Sequence, residues 1–210
     1  MNSKRPEDLL VNNKAWAQGI SADNPSFFAD LSQQQTPEYL WIGCSDSRVP
    51  ATQVSGLGPG EMFVHRNISN MVKHNDPNCM SVVQYAVTVL KVRRIIVCGH
   101  YQCGGVAAAM QDNVSGFIDD WLFDLRQLWT ANKAQLSLLS DADALTRLCE
   151  LNVLHQLSQL AQTNLVTDAW TNGQELSLHG WIYSLADGQL TDLGATLTQP
   201  DDIQLIDHLL

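Results

Sequence analysis

Cys44-Ser45-Asp46-Ser47-Arg48 and Gly99-His100-Tyr101-Gln102-Cys103-Gly104-Gly105 hold the residues best suited to chemistry in this 210-residue chain. Two thiols and an imidazole, Cys44, Cys103 and His100, are donor types that hold zinc tetrahedrally. His100 and Cys103 stand three apart on what reads as a strand-to-helix turn, so both side chains can reach one ion, and Cys44 must come from a neighbouring strand. Three protein ligands leave a fourth position open, which separates a catalytic zinc from a structural one. A lone His-x-x-Cys says little; paired with a Cys-x-Asp-x-Arg at a second strand exit it is specific. Asp46, two residues beyond Cys44, should lie within reach of the fourth position. It has two alternative states: paired with Arg48 while accepting a hydrogen bond from a zinc-bound water or hydroxide, or swung in to ligate zinc and close the site. The plainer reading of Asp46 and Arg48 is a surface ion pair.

The elements that position these groups follow from hydrophobic pattern. Tyr39-Leu40-Trp41-Ile42 and Ile95-Ile96-Val97-Cys98 are short apolar runs typical of strands covered on both faces, and each ends at one of the two segments. Residues 61–65 read as another strand and 176–185 as a fourth, while Asp187-Gly188 marks a hairpin into a short antiparallel strand over 190–193. Asp76-Pro77 starts a helix that carries Cys79, Val83, Ala86 and Leu90. A helix follows Gly104-Gly105, and two longer leucine-striped helices are expected over 117–139 and 141–165. Ahead of the first strand, a helix from Pro6 with a stop near Gly19 and another from Asn24-Pro25 form a helical arm over 1–35. The tail from Ile203 to Leu210 reads as a short helix or a loose end. The sum is a single α/β domain over 1–210: a mainly parallel four-stranded sheet with an added antiparallel edge strand, flanked by helices. In such sheets ligands bind beyond the carboxyl ends of the strands, where both segments sit.

Bulk properties exclude several classes. A net charge of −10 with no basic stripe argues against nucleic acid. No apolar run approaches the ~20 residues of a membrane span, and the N-terminus lacks the apolar core of a secretory signal. Five cysteines, an odd and sparse set, disfavour a disulfide framework and point to a reducing cytoplasm. Cys79, Cys98 and Cys149 sit in apolar patterns as small buried hydrophobes. A redox cysteine protein would want a low-pKa thiol with a resolving partner, a role Cys44 and Cys103 fit less well than ligation.

At these residues the chain resembles a β-class carbonic anhydrase. The resemblance runs in order through Leu40 to Pro50, Phe63-Val64-His65-Arg66-Asn67, Asn78-Cys79, Ser81 to Val87, Cys98-Gly99-His100, Cys103-Gly104-Gly105 and His179-Gly180-Trp181. It implies one zinc per chain on Cys44, His100 and Cys103, an Asp46–Arg48 dyad beside it, and reversible hydration of CO2 to bicarbonate and a proton. It also implies a substrate pocket with Gln35, Tyr85 and Gly104, and homodimers, commonly paired into tetramers, in which the N-terminal arm embraces the partner. Trp41, Arg66 and Tyr183 match the non-catalytic bicarbonate pocket of a bicarbonate-regulated (type II) subgroup, whose inactive form would have Asp46 on the zinc. Ser69 stands where the family often has Ala. Two thiolate ligands make the zinc centre formally neutral, so activity is expected to rise toward alkaline pH. His65 and His74 are candidates for carrying the proton away.

Overall fold

The computed structural model describes residues 5–208; the expectations for the first four residues and for Leu209 and Leu210 lie outside them. The chain forms two compact units, Met1–Thr36 and Pro37–Leu210.

The N-terminal unit contains α1 (Pro6–Asp23) and α2 (Phe27–Gln33). Pro6 occupies the first turn, where its missing N–H costs nothing, and the Asp8 carboxylate accepts the Arg5 N–H at 2.8 Å. Gly19 does not stop α1: the helix runs on to Asp23, and the chain leaves it at Asn24 in an extended conformation. Trp16 stacks edge-on against Phe28, 5.7 Å between ring centres. Neither helix has a buried residue, and Leu10 is 73% exposed.

The larger unit is built on a five-stranded sheet in the order β2-β1-β3-β4-β5. Its strands are β1 (Tyr39–Cys44), β2 (Met62–Asn67), β3 (Arg94–His100), β4 (Ser177–Tyr183) and β5 (Leu190–Leu197). The first four are mutually parallel and β5 is antiparallel to β4, as the sequence pattern implies. β5 extends to Leu197, four residues beyond the expected end.

The central strands β1 and β3 are buried almost throughout. On one face Leu40, Ile42, Ile95, Val97 and Leu178 pack with Val153, Leu154 and Leu157 of α8 (Asp141–Ala161) and with Val83 of α4 (Pro77–Gln84). Each such side chain removed from water contributes about 1.5–3 kcal/mol. On the other face Trp41, Ile96 and Cys98 pack with Met62 and with Ala51 of α3 (Ala51–Ser55). α4 passes into a π-helical segment, Tyr85–Leu90.

After α5 (Gly104–Ala109), the long helix expected over 117–139 is broken into α6 (Phe117–Trp121) and α7 (Phe123–Leu136). The break falls at Leu122, whose φ −85, ψ 5 lies outside the helical region and whose side chain is fully buried; tertiary burial overrides local propensity. The helix expected over 141–165 ends at Ala161, because Thr163 caps α9 (Asn164–Thr171) by accepting the Val166 N–H. A final short helix, α10, covers Ile203–Asp207.

Candidate metal centre

Cys44 is the last residue of β1 and His100 the last of β3, and these strands are hydrogen-bonded neighbours. Cys103 follows through a turn in which Gln102 takes a left-handed φ of 58, and it stands at the N-cap of α5. Parallel pairing therefore delivers two donors to one sheet end, and the turn brings the third back to them. The ligand atoms of Cys44, His100 and Cys103 all lie within 4.8 Å of one another, and all three residues are buried. The two sulfurs are 3.9 Å apart. Two sulfurs at ~2.3 Å from a tetrahedral zinc would be roughly 3.8 Å apart, so the donors fit the metal.

The imidazole is oriented for ligation. His100 Nδ1 lies 2.9 Å from the carbonyl oxygen of Tyr101. A carbonyl only accepts, so Nδ1 carries the proton and Nε2 keeps its lone pair. Nε2 is buried with no hydrogen-bond partner. Burial alone would lower the His100 pKa, but the nearby Cys44 sulfur, the Tyr101 carbonyl and Asp46 outweigh it, and the net shift is upward. The surroundings of Nε2 thus favour positive charge.

The thiols behave as a pair. The hydrogen bond from Cys44 draws Cys103 down to about 7, helped by the Val106 backbone and Ser69 and opposed by burial. The same bond, with burial, pushes Cys44 up to about 12. Thiolate is the ligating form, so a cation held between the sulfurs would take the place of the shared proton. Burial raises Cys79, Cys98 and Cys149, consistent with inert core thiols.

Asp46 and Arg48 form a fork beside this cluster. Asp46 Oδ1 accepts from the Arg48 backbone N–H and Nε, each at 2.9 Å, and Oδ2 accepts from Nη2 at 2.7 Å. Arg48 holds the carboxyl well below the usual carboxylate range, against the opposing effect of burial. Oδ2 also lies 3.6 Å from His100 Nε2, so the carboxylate borders the cluster while remaining on the arginine.

Arg66, paired across the ladder with Gly43, fastens the exit of β1. Its Nε donates to the Cys44 carbonyl at 2.8 Å and its Nη2 donates to the Asp46 carbonyl. Trp41 and Tyr183 belong to one hydrophobic cluster with Met62, and Arg66, four residues past Met62, faces the same side of the sheet. Trp41 is buried with its indole over Gly43, whereas the Tyr183 hydroxyl points to the hairpin near Gly188. Gly104 borders open space, where an added Cβ would meet nothing within 4 Å. Tyr85 is 43% exposed with its ring 5.8 Å from that of Phe63. Gln35 belongs to the N-terminal unit. Of the two shuttle candidates, His65 is buried, with Nε2 3.1 Å from Asn67 Nδ2, and the His74 ring nitrogen donates to the Gln159 carbonyl on α8 at 2.7 Å.

Sequence reasoning missed the supports behind these groups. The Tyr101 hydroxyl donates to Glu150 at 2.9 Å, and Glu150 accepts from Arg147 at 3.1 Å, tethering the turn between His100 and Cys103 to α8. Ser69 sits 3.7 Å from the Cys103 sulfur. The available signal for the Ser69 contact was Asn152 and Gln156, two amides one turn apart on the otherwise leucine-rich α8, the first donating to the Ser69 carbonyl and the second to the first.

The Carbonic anhydrase family profile matches residues 39–190. A carbonic anhydrase of Emericella nidulans is 42% identical over 188 residues, 89% of this chain and 82% of that protein. Among solved structures, a Coccomyxa β-carbonic anhydrase in complex with acetazolamide superposes with a TM-score of 0.92 at 38% identity, covering 97% of this chain and 92% of that one. One from a pair of tetrameric β-carbonic anhydrases of Sordaria macrospora gives 0.87 at 37% identity, covering 90% and 97%. These matches span the strands whose ends carry Cys44, His100 and Cys103, and the chain belongs to the β-class carbonic anhydrase family.

Proposed function

We propose that this protein hydrates CO2 reversibly to bicarbonate and a proton at one zinc ion per chain, held by Cys44, His100 and Cys103. The observation that carries this reading is the buried, unpartnered His100 Nε2, facing two thiols, with its opposite nitrogen committed to the Tyr101 carbonyl. Zinc, when bound, would polarise water and lower its pKa so that it attacks carbon at near-neutral pH.

The chain's own groups do the rest. Arg48 keeps Asp46 ionised and fixed by three hydrogen bonds. Asp46 is then a permanent acceptor at the edge of the cluster, and a hydrogen bond from the attacking water to it orients a lone pair toward CO2. The open space at Gly104 leaves room for the substrate, with Tyr85 as a further pocket group.

Regulation by bicarbonate is part of the same reading. Arg66 grips the carbonyls of Cys44 and Asp46, so an anion that draws its guanidinium toward Trp41 and Tyr183 loosens the segment carrying Asp46. A carboxylate released from Arg48 can then take the fourth ligand position and close the site. For the assembly, the exposed Leu9, Leu10 and Val11 of α1 support an arm that covers a second copy of the chain, and the Sordaria macrospora neighbours are tetrameric. Five free thiols suit a reducing cytoplasm, and no helix among the described residues is long and apolar enough to cross a membrane.

The test is stopped-flow CO2 hydration on metal-analysed protein, with and without chelator and with added bicarbonate. Activity that follows zinc content and falls with bicarbonate supports the proposal. Hydration indifferent to zinc content contradicts the zinc assignment, and indifference to bicarbonate contradicts the regulatory part.

A further inference from the structure

Ser69 lies in the short 3-10 turn Ile68–Asn70 that follows β2. It is fully buried and takes a left-handed φ of 63, followed by Asn70 at 48. Two consecutive residues other than glycine in that region store strain, which persists only where surrounding contacts over-determine it. Those contacts come from α8. Asn152 Nδ2 donates to the Ser69 carbonyl at 3.0 Å, Gln156 Nε2 donates to Asn152 Oδ1 at 3.0 Å, and Gln156 Oε1 accepts the Val72 N–H at 2.7 Å. Both amide side chains are buried. On the other side Gly105 abuts the Ser69 hydroxyl so closely that a Cβ there would overlap it and approach Ile68 Cγ2 to 2.8 Å. What this clamp delivers is one hydroxyl, 3.7 Å from the Cys103 sulfur, within reach given sulfur's larger radius.

We propose that Ser69 is a positioning residue of the metal site, held by Asn152 and Gln156 so that its hydroxyl donates a hydrogen bond to the Cys103 sulfur. The inference rests on the zinc reading above and adds to it the group that aims and tunes one ligand. A ligating thiolate has no proton to give, so the hydroxyl must be the donor. A donated hydrogen bond withdraws charge from the sulfur and fixes its direction; losing it makes the sulfur a stronger electron donor but also leaves it unaimed and harder to deprotonate, and these two costs weaken metal binding.

The experiment uses the full-length protein loaded with cobalt(II), comparing wild type with Ser69→Ala and Ser69→Gly. Both variants lack the hydroxyl, but glycine adopts the left-handed conformation freely, which separates loss of the hydrogen bond from backbone strain. The sulfur-to-cobalt charge-transfer band should move to longer wavelength in both variants, and chelator competition should show metal affinity roughly tenfold lower in both. An unchanged band and affinity in both variants, or a change confined to Ser69→Ala, overturns the proposal. A wild-type protein that takes up neither cobalt nor zinc overturns the metal centre itself, a separate outcome.

Discussion

His100 Nδ1 and the Tyr101 carbonyl oxygen are 2.9 Å apart, and that contact leaves Nε2 free to bind a cation between two sulfurs. Tyr101 is itself fastened to Glu150 of α8 through its hydroxyl, so the residue that orients the ligand is tied to the core. Replacing His100 by Ala should therefore abolish metal retention and reduce hydration to the uncatalysed background, with metal analysis and stopped flow as the readouts. Tyr101→Phe should keep the ligands and lose roughly tenfold in metal affinity.

The Asp46–Arg48 fork gives a graded pair. Asp46→Asn keeps the shape but removes the permanent acceptor, and turnover should fall by about 10²–10⁴-fold. Arg48→Ala leaves the carboxylate and removes its anchor, so the loss should be smaller in chemistry but accompanied by higher occupancy of the closed state. Stopped-flow rates of the two variants at several pH values check the ordering, and a wild-type rate for Arg48→Ala would contradict the assigned role.

The same pair sets a pH dependence of stability. Arg48 depresses the Asp46 carboxyl, so the folded protein holds that proton less tightly than the unfolded chain. The stabilisation is present above the unfolded value of about 3.9 and is lost as pH falls through the depressed folded value. Wild type should exceed Arg48→Ala in Tm at pH 6, and the gap should close progressively below about pH 4. Thermal melts of both proteins across that range read the difference.

Metal removal should expose the thiol pair. Cys103 is drawn down to about 7 while Cys44 is pushed up to about 12, so the metal-free protein should gain one thiolate with a midpoint near neutrality. Ultraviolet titration of thiolate absorption measures this. The neutral-pH step should vanish in Cys103→Ser and in zinc-loaded protein.

Much of this site is legible in the sequence because strands β1 and β3 are short apolar runs with chemistry at their ends. Their mutual register places Gly43 opposite Cys98, and the ligands follow from it. The N-cap role of Thr163 was also legible in principle, as a threonine at the head of an amphipathic stretch. The break at Leu122 was not: it comes from burying that side chain, a tertiary effect without a local signal. The left-handed backbone of Ser69 and Asn70 was not legible for the same reason, because it is imposed by α8 and Gly105 from more than thirty residues away in sequence.

Gly105 offers a packing test of that imposition. Gly105→Ala drives a methyl group into Ser69 and Ile68, and such overpacking costs typically about 1–3 kcal/mol. Denaturant unfolding should show a loss of that size. Metal affinity should fall with it, since the displaced residue borders Cys103.

X-ray absorption spectroscopy of the zinc-loaded protein addresses the ligand set most directly. Two sulfur scatterers at about 2.3 Å with nitrogen or oxygen completing four-coordination is the predicted result. Four sulfurs, no sulfur, or zinc that fails to bind stoichiometrically would contradict a centre formed by Cys44, His100 and Cys103.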